Sequence, residues 1–112
     1  MLAKNFLGKE VKVIIDRPLG SYHQKYKDIF YSVNYGFIPN TKAGDGEEID
    51  IYILDVDYPI KECKAKIIAF LHRLNDNEDK LIGVCNDTKF TNEEILEKIN
   101  FVEKYFKSKL IR

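Results

Sequence analysis

The feature that most constrains the fold is a single long helix that comes after every other element. Thr91 and Glu94 form a capping box, which marks the start of a helix. An apolar stripe follows at steps of three and four residues, formed by Ile95, Ile99, Val102, Phe106 and Leu110. A parallel sheet needs a crossover between successive strands, usually a helix, and one terminal helix cannot supply several. The sequence therefore predicts an antiparallel barrel or strongly curved sheet with this helix packed on it.

Five segments upstream of the helix have the alternation or the composition of strands. They span residues 11–16, 29–37, 49–53, 66–72 and 80–85. Glycine, proline or polar residues separate them, notably in the loops 41–47 and 74–79. With 112 residues and no repeat or linker, the chain is expected to form one domain over residues 1–112, of the mainly-β or α+β class.

The charge balance excludes several partners. Lysine and arginine number 18, and aspartate and glutamate also number 18, so no bulk field attracts nucleic acid or an anionic membrane.

Apolar runs are too short to cross a bilayer, and the first residues lack the apolar core of a signal peptide. We expect a cytoplasmic protein whose anion site, if it has one, is built locally.

The two cysteines are expected to be structural. Cys63 and Cys85 lie in apolar, strand-like segments without a CxxC pattern or a neighbouring histidine. Such residues are more often buried small apolar groups than members of a disulfide or a zinc site.

Two acidic loops carry the chemistry that the sequence suggests. Asp45, Glu47 and Asp50 lie in the motif DGEEID, where glycines permit a tight turn, and Mg²⁺ prefers oxygen ligands of this kind. The second loop, residues 75–79, is followed at once by Lys80. Each loop alone could be an ordinary solvated turn. Together they could hold a pair of cations, with Lys80 neutralising a bound anion.

Phenols and cations are dense between residues 17 and 35. Tyrosine hydroxyls, lysine and arginine are suitable donors to phosphate oxygens. Strand aromatics more often pack in a core, so we expect Phe30, Tyr31 and Phe37 to pack. Tyr35, beside Gly36, is the better candidate for function.

Five blocks follow one another along the chain: IDRPLGSYHQKYK, YSVNYGFIP, DGEEID, DNEDK and FVEKYF. In this order they resemble the soluble family I inorganic pyrophosphatases, and the resemblance covers the chain from Val11 to Phe106. The resemblance implies a five-stranded, closed, OB-like barrel with the C-terminal helix packed on it. It also implies hydrolysis of inorganic pyrophosphate to two phosphates by a metal-activated water, with Mg²⁺ as cofactor and Mn²⁺ as the alternative.

The resemblance assigns roles by position. Asp45 and Asp50 correspond to metal ligands, Asp16 to a ligand of a further metal, and Glu47 to the carboxylate that orients or deprotonates the water. Phosphate-binding positions correspond to Lys25, Tyr35, Lys80 and Tyr105, with Tyr35 also close to the reacting groups.

The sequence also departs from the family pattern. Between Lys27 and Tyr31 it lacks the hairpin that carries a phosphate-binding arginine, which leaves Arg17 or Arg73 as a replacement. Glu47 is one methylene longer than the aspartate of the family. Lys27 replaces a glutamate, and Phe106 stands at the position of a helix lysine.

The second acidic loop has two registers. Spacing from Lys80 puts Glu78 at the inner ligand position and Arg73 at the outer one, whereas residue type favours Asp79 and Asp76. A shift of one residue reverses the facing of a strand side chain. We take Asp76 and Asp79 as the predicted ligands.

Two other functions remain open. The departures favour a binding module that keeps the phosphate site for pyrophosphate or a nucleotide phosphate but turns over weakly. An OB-type domain for oligonucleotides is disfavoured by the zero net charge. A homo-oligomer is also open, because members of the family commonly assemble.

Overall fold

The structure, a computed structural model, describes residues 3–43, 46–76 and 78–112. After a short 3₁₀ helix, Ala3–Phe6, its strands and helix follow in chain order. They are β1 Glu10–Arg17, β2 Asn34–Ile38, β3 Ile49–Ile53, β4 Glu62–Arg73, β5 Asp79–Val84, α1 Asn92–Glu103 and β6 Ser108–Ile111. None of the helices in the described ranges is long and apolar enough to cross a membrane.

The sheet closes on itself, as the sequence predicts. The strand order is β1-β2-β3-β5-β4-β6, and β1 also pairs with β4, so β1 to β5 form a closed five-stranded barrel. The expectation of purely antiparallel pairing is wrong for one pair, because β3 and β5 are parallel. The long strand β4 lies between β3 and β5 in the chain and serves as their crossover connection, so no helix is needed there.

Alternation along the strands creates two apolar cores. One core fills the barrel and includes Val13, Ile51 and Leu81. The other lies between the barrel wall and α1 and includes Tyr52, Leu71, Ile82, Ile95 and Ile99. Successive side chains of β3 therefore face opposite ways, and Asp50 shares the outer face with Tyr52, two residues on.

The helix begins where predicted and ends earlier. Thr91 and Glu94 form the capping box in full. The helix ends at Glu103, so the predicted continuation of its stripe through Phe106 and Leu110 is wrong. Leu110 instead lies in β6, opposite Leu71 of β4. By pairing with β4, residues 108–111 satisfy backbone groups at the edge of β4 that would have no strand partner if the helix continued.

Cys63 and Cys85 are free thiols that lie side by side and hydrogen-bond each other. They are partly buried and pack against the barrel core. The expectation of buried apolar groups is therefore met only in part.

In the motif NYGF, Asn34 and Gly36 are structural residues, and Tyr35 belongs to the candidate site. Asn34 is fully buried; its amide nitrogen donates to the carbonyls of Val56 and Tyr58, and its oxygen accepts from the backbone of Leu19. Gly36 lies so close to β1 that a Cβ built on it would be 1.9 Å from the Ile14 carbonyl oxygen. Both residues fix the loops and strand around Tyr35.

We predict that Gly36→Ala destabilises the fold strongly, because the added methyl meets backbone that cannot move aside. The expected loss in the free energy of unfolding, measured by urea denaturation, is about 3 kcal/mol or more. Gly83→Ala should cost less, because its methyl would meet only side-chain atoms, the nearest being Ile51 Cδ1 at 3.0 Å and Ala65 Cβ at 3.2 Å. Equal losses in the two variants would contradict the close approach at Gly36.

Candidate functional site

A cavity of about 470 Å³ opens on the outer face of the barrel, beside the end of α1. Its lining combines phenols, two cations and few acids. The lining residues are His23, Tyr26, Asp28, Ile29, Tyr31, Tyr35, Tyr52, Arg73, Lys80, Val102, Tyr105 and Phe106.

Strand register explains why these side chains meet. Tyr35 of β2 lies opposite Tyr52 of β3, and their ring centroids are 4.9 Å apart. The parallel register of β3 with β5 then brings Asp50 beside Lys80. Because side chains alternate along a strand, all four point to the outer face.

Lys80 is the most connected polar group of the site. It is only 4% exposed, and its ammonium contacts the Asp50 carboxylate closely. It also donates to the Tyr35 hydroxyl at 3.1 Å and lies 3.5 Å from Glu78 Oε1. Burying a charge is costly unless it is paired, and here three oxygens surround the ammonium.

Tyr35 remains a neutral hydroxyl donor. Burial first, and then the neighbouring charge of Asp50, raise the pKa of Tyr35 well above its ordinary value. The same causes in the same order, with Glu103 in place of Asp50, raise the pKa of Tyr52. Both phenols are therefore protonated at neutral pH.

A second buried network surrounds Arg73, which shares the Glu78 carboxylate with Lys80. Arg73 donates to Glu103 through Nε at 2.9 Å and through Nη2 at 2.6 Å, and both residues are 6% exposed. Tyr52 donates to the same carboxylate at 2.5 Å. The Arg73 guanidinium also stacks on Phe106, 3.7 Å from the ring centroid. Burial lowers the pKa of Arg73, but the bonds and charge of Glu103 outweigh it, so the net shift is upward.

Asp16 and Arg17 form the end of β1, and the Asp16 carboxylate lies within electrostatic range of Asp50. Burial, and to a smaller extent the charge of Asp50, raise the pKa of Asp16 against the lowering effect of Arg17. The Nε–H of Arg17 is buried and has no hydrogen-bond partner among the described residues. Tyr31, which lines the cavity, has a pKa raised by burial; Arg17 lowers this pKa in part, and Asp16 raises it slightly.

The remaining predicted residues lie at the margin or outside the description. Tyr105 lines the cavity and is largely exposed. Lys25 is exposed, with its ammonium over the ring of Tyr26, a lining residue. Glu47 is exposed in the turn before β3. Asp45, predicted as a metal ligand, lies outside the described residues.

The two predicted ligands of the second loop are placed differently. Asp79 lies opposite His72 and pairs with its Nδ1 at 2.7 Å, on the face of β5 away from Lys80. Asp76 lies 3.4 Å from Arg73 Nη1. Glu78, the alternative in the other register, contacts both Lys80 and Arg73. The geometry thus favours the register set by spacing over the one set by residue type.

The donor chemistry fits a divalent cation at one end of the site. Asp16 and Asp50 are carboxylates within electrostatic range of each other, and the Asp50 carboxylate has enough lone pairs to accept from Lys80 and still bind a hard cation. Within ranges 3–43, 46–76 and 78–112 no three acidic, histidine or cysteine side chains form a ready metal cluster. These ranges leave out Asp45.

Glu103 is the important residue that sequence reasoning missed. It lies four residues after Ile99, on the apolar stripe of the helix. A carboxylate on an apolar stripe is a signal for a buried partner, and that partner is Arg73.

Fold and cavity define a small closed-barrel protein whose cavity is lined by two cations, Lys80 and Arg73, each paired with a carboxylate. The family model described as inorganic pyrophosphatase matches residues 7–111. The chain therefore belongs to the inorganic pyrophosphatase family, and the resemblance seen in its sequence is confirmed.

Individual relatives agree with this membership. A soluble inorganic pyrophosphatase of Oryza sativa subsp. indica is 32% identical over 87 residues, which cover 71% of this chain and 41% of that protein. An inorganic pyrophosphatase of Campylobacter jejuni is 32% identical over 118 residues, covering 88% and 68%. The chain thus spans about two fifths of the rice relative.

Solved structures share the fold. The inorganic pyrophosphatase from Ehrlichia chaffeensis superposes with a TM-score of 0.69 at 22% identity, over 92% of this chain and 85% of that one. The enzyme from Helicobacter pylori gives 0.67 at 18%, over 96% and 86%.

We predict that Tyr35 and Tyr52 ionise far above pH 10, where an ordinary phenol loses its proton. Because their pKa values are raised in the folded state, the unfolded chain loses these protons at a lower pH than the folded chain. Their contribution to the free energy of unfolding is therefore complete below about pH 10 and is lost as pH rises toward the folded-state pKa values. Absorbance at 295 nm should show a late ionisation step that becomes smaller in Tyr52→Phe. The exposed Tyr58→Phe should leave the late step unchanged; loss of the step in both, or in neither, would contradict the assignment.

Proposed function

We propose that the chain hydrolyses inorganic pyrophosphate to two phosphates in the outer cavity. The observation that carries the proposal is the buried Lys80 ammonium beside the Tyr35 hydroxyl at the cavity wall. Family membership supplies the reaction class.

Substrate binding uses groups that can donate to phosphate oxygens. Lys80 presents a fixed positive charge, and the protonated Tyr35 hydroxyl is held by it at 3.1 Å. The buried Nε–H of Arg17, without a partner among the described residues, is a further donor. Tyr105 and Lys25 extend this set at the rim. Because Lys80 and Tyr35 are already ordered, little side-chain freedom is lost on binding.

The acidic side chains are the proposed ligands of the cofactor. We assign Asp50 and Asp16 as ligands of a divalent cation, Mg²⁺ with Mn²⁺ as the alternative, together with Asp45. When bound, this cation supplies a water of lowered pKa and offsets charge on the phosphate. Asp79 is not part of the assignment, because it pairs with His72 on the other face.

Glu47 is the assigned general base. It lies three residues before Asp50, in the turn that leads into β3. Its role is to orient the attacking water and accept its proton, so that the leaving phosphate departs in line. Its extra methylene makes placement critical, since an error of about 1 Å can cost roughly a hundredfold in rate.

We predict that Asp50→Asn lowers phosphate release from pyrophosphate with Mg²⁺ by about 100-fold or more, because it removes a cofactor ligand and the partner of Lys80. Asp57→Asn, at an exposed aspartate after β3, is the matched control and should keep the rate of the unsubstituted chain. Equal rates for Asp50→Asn and Asp57→Asn would sink the proposal.

The phosphate-release assay also tests the role of Glu47 as general base. Glu47→Gln should lose about 100-fold in kcat, whereas Glu48→Gln, its exposed neighbour, should not. Metal-dependent binding of pyrophosphate by calorimetry, without any phosphate release by the unsubstituted chain, would instead show a binding module.

A further inference from the structure

Arg73 lies at a point where carboxylates of the second acidic loop converge. Its Nη1 is 3.4 Å from Asp76 Oδ2 and 3.4 Å from Glu78 Oε2. Carboxylate oxygens that converge on one point are the arrangement that a hard divalent cation requires. Here that point is filled by a guanidinium.

The guanidinium is held there firmly. Nε and Nη2 are bound by Glu103, and the plane of the group stacks on Phe106. The Arg73 side chain is only 7% exposed. Removing it from the carboxylates would leave Glu103 buried without its cation, which is strongly unfavourable.

Its donors are also nearly used up. A guanidinium has five N–H groups, and contacts to Glu103, Asp76 and Glu78 take four of them. Arg73 is therefore poorly suited to bind a substrate phosphate in two places, although it lines the cavity. A fixed counter-ion is the role that these contacts describe.

The polar groups then form one row of alternating charge. It runs from Asp76 to Arg73, from Arg73 to Glu78, from Glu78 to Lys80 at 3.5 Å, and from Lys80 to Asp50. Every carboxylate of the row touches a cation of the chain itself. Asp50 also lies within electrostatic range of Asp16, a carboxylate outside the row.

We propose that Arg73 is a resident cation that takes the place of a second divalent cation, so that metal binds at the Asp16–Asp50 end and not between Asp76 and Glu78. This rests on the proposed function only in taking the cavity as the metal- and phosphate-binding site. Arg73 acts as a positioning and specificity-determining residue, because it fixes how many divalent cations the site accepts.

The test counts bound Mn²⁺ by electron paramagnetic resonance, which requires no turnover. Arg73→Met combined with Glu103→Gln removes the resident cation without stranding a buried carboxylate. This double variant should bind one more Mn²⁺ per chain than the unsubstituted protein. Arg112→Met removes the same kind of charge from an exposed position and should not change the count. Equal counts in the unsubstituted protein and the double variant would overturn the proposal.

A conservative variant keeps the test valid if the double variant fails to fold. In an otherwise unsubstituted chain, Glu78→Gln should leave the Mn²⁺ count unchanged, because Glu78 serves Arg73 and Lys80 and not the metal. Loss of a bound Mn²⁺ in Glu78→Gln would show that Glu78 is a metal ligand and would overturn the proposal. A chain that binds Mn²⁺ as expected but releases no phosphate would contradict the proposed function alone.

Discussion

The buried ammonium of Lys80 is the interaction on which the rest of the site depends. It lies on β5, and its partners come from β2, β3 and the loop before β5. A charge that is 4% exposed needs partners to offset its desolvation, and those partners must be held in place by strands. The closed barrel provides this rigidity, because each of the strands β1 to β5 is paired on both sides.

Alternation along the strands decides which residues can join Lys80. Residues that face the barrel interior make the apolar core, and their neighbours in sequence face α1 and the cavity. Much of this could be predicted from the sequence. The isoleucine alternation around Asp50 and the capping box at Thr91 both follow from local patterns.

What could not be predicted depends on contacts between distant segments. Nothing local distinguishes Leu110 on a helix stripe from Leu110 on a strand beside β4. The register of the second loop is set by the pairing of β4 with β5, which places Arg73 next to Glu78 and turns Asp79 toward His72. Residue type alone points to Asp79, and spacing points to Glu78; a shift of one position changes the face, so only the pairing shows which of them lies beside Lys80.

The central claim is that Lys80 binds the phosphate of the substrate. Calorimetry with imidodiphosphate, whose bridging nitrogen resists hydrolysis, measures this binding without turnover. With Mg²⁺ present, Lys80→Met should weaken the affinity by about 10-fold to 100-fold, the range for a lost charge-assisted contact. An unchanged affinity in a folded Lys80→Met variant would contradict the account.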